Sequence, residues 1–155
     1  MQVTKDLRRL WAVFPHHSSA TTILLDDSAT KARLQPNNHL CVSDYNRAMH
    51  KETKTALEAV QAGVEPPTQP DQTLLAVIGV LETLRKESDI ASWIRCGSLF
   101  NFASSCQSHP EPSAAREPGP EVAKPIFWWK QPDIMEFWIR AGQAALQKLE
   151  INVAI

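Results

Sequence analysis

The apolar positions of this chain follow two different periods. Leu7, Leu10 and Trp11 recur at helical spacing, with Thr4 or Asp6 available as a cap and Pro15 as a stop, which predicts a short amphipathic helix. The run Thr21-Thr22-Ile23-Leu24-Leu25-Asp26-Asp27-Ser28 is apolar and β-branched without polar alternation. That pattern predicts an interior strand of a parallel sheet, covered on both faces and ending in two adjacent carboxylates. Ser28 to Arg33 fits a short turn of helix, Leu34 to Asn38 a turn, and His39-Leu40-Cys41-Val42 a second strand. The connection between the strands is shorter than an ordinary crossover helix.

Beyond residue 45 the pattern is helical. A polar helix is expected over Arg47 to Ala62, with Gly63 at its end, and Glu65 to Pro70 breaks the chain. Asp71 stands as an N-cap before Leu74, Val77, Ile78, Leu81 and Leu84, the clearest amphipathic stripe in the sequence. Ser88 or Asp89 caps a further helix carrying Ile90, Trp93 and Ile94, which Gly97 is placed to stop. From Gln107 to Lys124 proline, serine, alanine and glutamate dominate, which predicts a flexible linker. A last helix is expected from the cap Asp133, with Ile134, Phe137, Trp138, Ala141, Ala145 and Leu149 on one side. Trp128, Trp129 and Trp138 form either a partner-binding or membrane-surface patch or an anchor packed back on the domain; packing is the expectation. The resulting plan is α/β: a region over residues 1–104, a proline-rich linker over 105–125 and an aromatic-rich helix over 126–155.

Composition narrows the functions open to such a chain. Its 155 residues suffice for one ordinary domain. Sixteen basic against 17 acidic residues give a formal charge of -1, so no electrostatic footprint points to nucleic acid or an anionic membrane. Cys41, Cys96 and Cys106 are odd in number and widely spaced, as reduced thiols are, and no apolar run reaches the roughly 18 residues that cross a bilayer. Adjacent His16 and His17 read as surface residues, because neighbours on a regular strand cannot both face one metal.

Chemistry concentrates at Asp26 and Asp27. Acids at the carboxyl end of a parallel strand lie where open α/β sheets hold their ligands. Two neighbouring carboxylates leaving an apolar strand need compensation, for which a hard cation such as magnesium is suited. The other reading is a solvated turn that caps the following segment.

The order Lys5-Asp6-Leu7, then Ile23-Leu24-Leu25-Asp26-Asp27-Ser28 with Lys31-Ala32, then Gln35-Pro36-x-Asn38 and an apolar strand resembles a known domain. It looks like the second half of the RNA polymerase II carboxyl-terminal-domain phosphatase, or NLI-interacting-factor-like, domain of the haloacid dehalogenase superfamily. Fungal members are the most similar in flavour. The resemblance covers residues 3–45 and extends weakly through a helical extension over 46–104. It implies a haloacid-dehalogenase-like parallel sheet with short strands and a magnesium-dependent protein serine/threonine phosphatase working through an aspartyl phosphate. By resemblance, Asp26 and Asp27 are the magnesium ligands and Lys5 is the catalytic lysine that offsets charge on the phosphoryl group. The family's nucleophile motif, Asp-x-Asp-x-Thr/Val, occurs nowhere in the 155 residues. The chain is therefore expected to be a truncated or degenerate relative without turnover of its own, meeting a phosphoprotein or protein partner in the nucleus or cytoplasm. A noncatalytic protein-binding module is the alternative, as in the mitochondrial inner-membrane import translocase subunit that shares this fold.

Overall fold

The computed structural model describes residues 3–101 and 127–151. Helix α1 spans Leu7–Val13 and is opened by Asp6, whose carboxylate accepts the Arg8 amide at 3.1 Å. The Trp11 indole N–H donates to the Thr22 hydroxyl at 3.0 Å, which ties α1 to the segment leading into the sheet. Strands β1 (Leu24–Asp26) and β2 (His39–Cys41) pair in parallel, with Leu24 opposite His39, Leu25 opposite Leu40 and Asp26 opposite Cys41.

The sheet corrects one expectation. Among the described residues β1 pairs with β2 alone, and Leu25 is 42% exposed, so β1 is not an interior strand covered on both faces. An apolar run signals strand propensity but carries no information on how many strands flank it. The crossover over residues 27–38 is a chain of tight turns closed by a 3-10 turn at Pro36–Asn38, not a helix. Two amides brace it. Gln35 accepts the Leu7 amide at 3.1 Å and donates to the Asp6 carboxylate at 3.0 Å, while buried Asn38 donates to the Ser19 and Thr22 carbonyls at 2.6 and 2.7 Å.

Helix α2 (Arg47–Gln61) is capped by Asn46, which accepts the Ala48 and Met49 amides, and Gly63 ends it at φ +71°. A positive φ there costs glycine nothing and any other residue about 1–2 kcal/mol. Only Ala56 of α2 is buried. Helix α3 (Thr73–Leu84) follows; Asp71 does hold its start, accepting the Thr73 amide and hydroxyl, although the cap position itself is Gln72. Asp89 caps α4 (Ile90–Arg95) through the Ser92 amide. In α5 (Pro132–Lys148), Asp133 lies in the first turn beside the N-terminal proline, and Gln131 takes the cap position expected of Asp133.

The core is organised by the crossing of α3 and α5. Its closest point joins Gly79 to Gly142: a Cβ on Gly79 would fall 2.2 Å from the Trp138 carbonyl oxygen, and one on Gly142 2.0 Å from that of Leu75. Backbone lies directly on backbone, which only glycine permits. This contact sets the rotation of α3, burying Leu75, Ala76, Val77, Val80 and Leu84 and leaving Leu74 and Leu81 of the expected stripe exposed.

The aromatic segment packs inward. Trp128 donates its indole N–H to the Cys41 carbonyl at 2.7 Å, and Trp138 donates to that of Leu99 at 3.0 Å. Trp138 also meets Trp93 edge-on with ring centres 6.1 Å apart. Leu40, Val80, Trp93, Trp128 and Trp138 thus share one cluster, so the sheet and the last helix close a common core. The linker expected over 105–125 lies outside the described residues. Among those described, no helix is long and apolar enough to cross a membrane.

Candidate functional site

Asp26 is the last residue of β1, and the turns that follow fold Lys31 back over it. Lys31 is held by its backbone: its amide donates to the Ser28 carbonyl at 3.1 Å, and its own carbonyl accepts the Lys5 amide at 2.8 Å. That second bond places Lys5, at the threshold of α1, against the carboxyl end of β1. Residues separated along the chain therefore meet as a cluster of two carboxylates and two ammonium groups.

Within it, Lys5 ion-pairs with Asp26 Oδ2, while Oδ1 of Asp26 accepts the Ser28 amide at 2.9 Å. Lys31 Nζ stands 3.4 Å from Asp26 Oδ1 and 3.1 Å from Asp27 Oδ1, bridging the two acids. The side chain of Asp26 is 5% exposed, against 43% for Asp27, 45% for Lys5 and 37% for Lys31. A carboxylate that deep must be compensated to remain ionised. The Lys5 ammonium holds the Asp26 carboxyl well below the usual carboxylate range against the opposing effect of burial, with the Ser28 amide, Asp27 and Lys31 adding to it. Asp27 first, and then Asp26, push the Lys31 ammonium up. Nearby, burial and the two acidic charges raise the Cys41 thiol, which disfavours its reactive thiolate form.

The structure thus brings together Lys5, Asp26 and Asp27, the three residues singled out in the sequence. Lys31 was missed as a site residue. Its signal was present in the four-residue spacing from Asp27, which favours an ion pair wherever the chain coils like a helix. Gln35 and Asn38 stand outside the cluster and brace the chain around it.

As placed, these residues do not fit a resident magnesium ion, which takes near-octahedral oxygen ligands. Both oxygens of Asp26 are engaged by nitrogen donors, and an ammonium stands between the two acids. Among the described residues no group of three or more His, Cys, Asp or Glu is gathered to hold a metal.

A family model described as NLI interacting factor-like phosphatase matches residues 1–91, more than half of the chain. No curated protein and no solved structure matches the chain.

Proposed function

Because the chain belongs to the NLI interacting factor-like phosphatase family, we propose that the Lys5, Lys31, Asp26 and Asp27 cluster is the phosphate-facing side of a protein serine/threonine phosphatase-like domain of the haloacid dehalogenase kind. The observation that carries this reading is the convergence of two half-exposed ammonium groups on the carboxyl end of a parallel strand. Lys5 and Lys31 are anchored on one side by carboxylates and open to solvent on the other, so they can donate to phosphoryl oxygens without moving. Asp26 orients both cations. Asp27 is the one acid of the pair with an exposed carboxylate, and it holds Lys31 at 3.1 Å.

Recognition and turnover separate in this chain. Aspartyl-phosphate chemistry requires an aspartate nucleophile, and the 155 residues contain no Asp-x-Asp-x-Thr/Val. Asp44, Asp71, Asp89 and Asp133 are isolated acids, and Asp71 and Asp89 are occupied at helix starts. The chain is accordingly a phosphoprotein-recognising module that does not hydrolyse its ligand. Incubating the purified chain with an aryl phosphate and magnesium tests this. Hydrolysis at the background rate is expected; turnover that disappears in Asp27→Ala would overturn it.

One observation favours a second reading. The cluster pairs two positive with two negative groups and so carries no net charge of its own, which suits a noncatalytic surface that binds unmodified polypeptide. Equal affinity for phosphorylated and unphosphorylated peptides would favour that module over the first.

A further inference from the structure

We propose that Lys31 is the resident cation of the Asp26–Asp27 pair, standing where a divalent ion would bridge the two acids and keeping metal out. The proposal rests on the phosphatase-family reading only for the expectation that a metal belongs here.

Two adjacent carboxylates, one of them buried, demand positive charge nearby. The chain supplies it from within. The Lys31 ammonium faces Oδ1 of Asp26 and Oδ1 of Asp27 at 3.4 and 3.1 Å, so it already bridges one oxygen of each acid. Lys5 closes the other oxygen of Asp26. The Lys31 backbone is held beside the acids by the Ser28 carbonyl on one side and the Lys5 amide on the other, so its ammonium stays within reach of both. An ion binding here would have to drive the ammonium out of contact with both acids and still bear its repulsion. Even in water, a unit charge about 4 Å from a divalent ion weakens binding roughly thirtyfold.

Manganese titrated calorimetrically into the full chain, with phosphate absent, tests the assignment. Wild type is expected to show no saturable binding. Lys31→Met, which keeps the length of the side chain and removes its charge, is expected to bind manganese saturably, at least about thirtyfold more tightly than the weakest binding the titration of wild type could have detected. Adding Asp27→Ala to that variant should abolish the gain, and Lys31→Arg, which retains the charge, should behave as wild type. Circular dichroism confirms that each variant is folded, and Lys31→Gln replaces Lys31→Met if the latter is not. Equal binding by wild type and Lys31→Met, both lost with Asp27, would overturn the proposal while upholding a metal-dependent phosphatase-family site. No binding by either Lys31→Met or Lys31→Gln when folded would also overturn it, by showing that the acids hold no metal even without the lysine. Neither result touches phosphopeptide recognition, which is measured separately.

Discussion

Replacing Gly142 by Ala adds one methyl group at the point where α3 and α5 touch. The new carbon would lie 2.0 Å from the Leu75 carbonyl oxygen, 2.9 Å from its carbon and 3.2 Å from the Gly79 nitrogen. All three are backbone atoms, so no side-chain rotation relieves the clash. An unstrained carbon to oxygen contact is about 3.3 Å, so the helices must part by about 1 Å or more. Parting them loosens Ala76, Val80 and Trp138, which line the same crossing and are buried. Overpacking of this kind costs about 3 kcal/mol at the upper end of its usual range, and the better helix propensity of Ala returns about 1 kcal/mol. The net loss is about 2 kcal/mol, or about 4–8 °C in Tm for a chain of this length. Urea and thermal unfolding followed by tryptophan fluorescence measure it directly, since Trp128 and Trp138 are buried reporters. The sign is decisive. A helical glycine without a close neighbour gains stability on becoming Ala, so an unchanged or stabilised Gly142→Ala would refute the backbone-to-backbone packing of α3 on α5.

Further outcomes follow from the site and its braces. Because the folded-state pKa of Asp26 lies below its unfolded value, its contribution to stability is fully present above the unfolded value of about 3.9 and is lost as pH falls below it. Urea midpoints should therefore drop from about pH 5 downward in wild type and drop less steeply in Asp26→Asn. Asn38→Ala removes two hydrogen bonds to the Ser19 and Thr22 carbonyls and should cost about 1–2 kcal/mol by urea unfolding. Trp128→Phe replaces the buried indole by a smaller ring and removes the donor to the Cys41 carbonyl, so a lost hydrogen bond and a small cavity together should cost about 2 kcal/mol on the same measurement.

Local signals in the sequence located most elements, and tertiary ones did not show there. Capping chemistry narrowed two helix starts to Thr4 or Asp6 and to Ser88 or Asp89, and the structure uses Asp6 and Asp89; a cap is decided within three residues of the helix it opens. Asp133 was misplaced by one such local rule competing with another, the preference of Pro132 for the first helical turn. The orientation of α3 was not legible, since Leu74 and Leu81 fit an apolar stripe as well as the residues that are buried. What chooses between them is Gly142, 63 positions beyond Gly79, and no periodicity within α3 contains it. At the site, Lys5, Asp26 and Asp27 stood out through their order along the chain. Lys31 acquires meaning only once the turns after β1 fold it back over Asp26. Gln35 and Asn38 were visible as part of that same order, but their physical role as braces required the positions of Leu7, Ser19 and Thr22.

The central claim is that Lys5 and Lys31 present a phosphate-facing surface. Calorimetric titration of the full chain with a phosphoserine peptide, beside its unphosphorylated counterpart, tests that claim most directly. Preferential binding of the phosphopeptide by wild type, lost in folded Lys5→Met and without release of inorganic phosphate, is the predicted result. Equal affinity for the two peptides would contradict it.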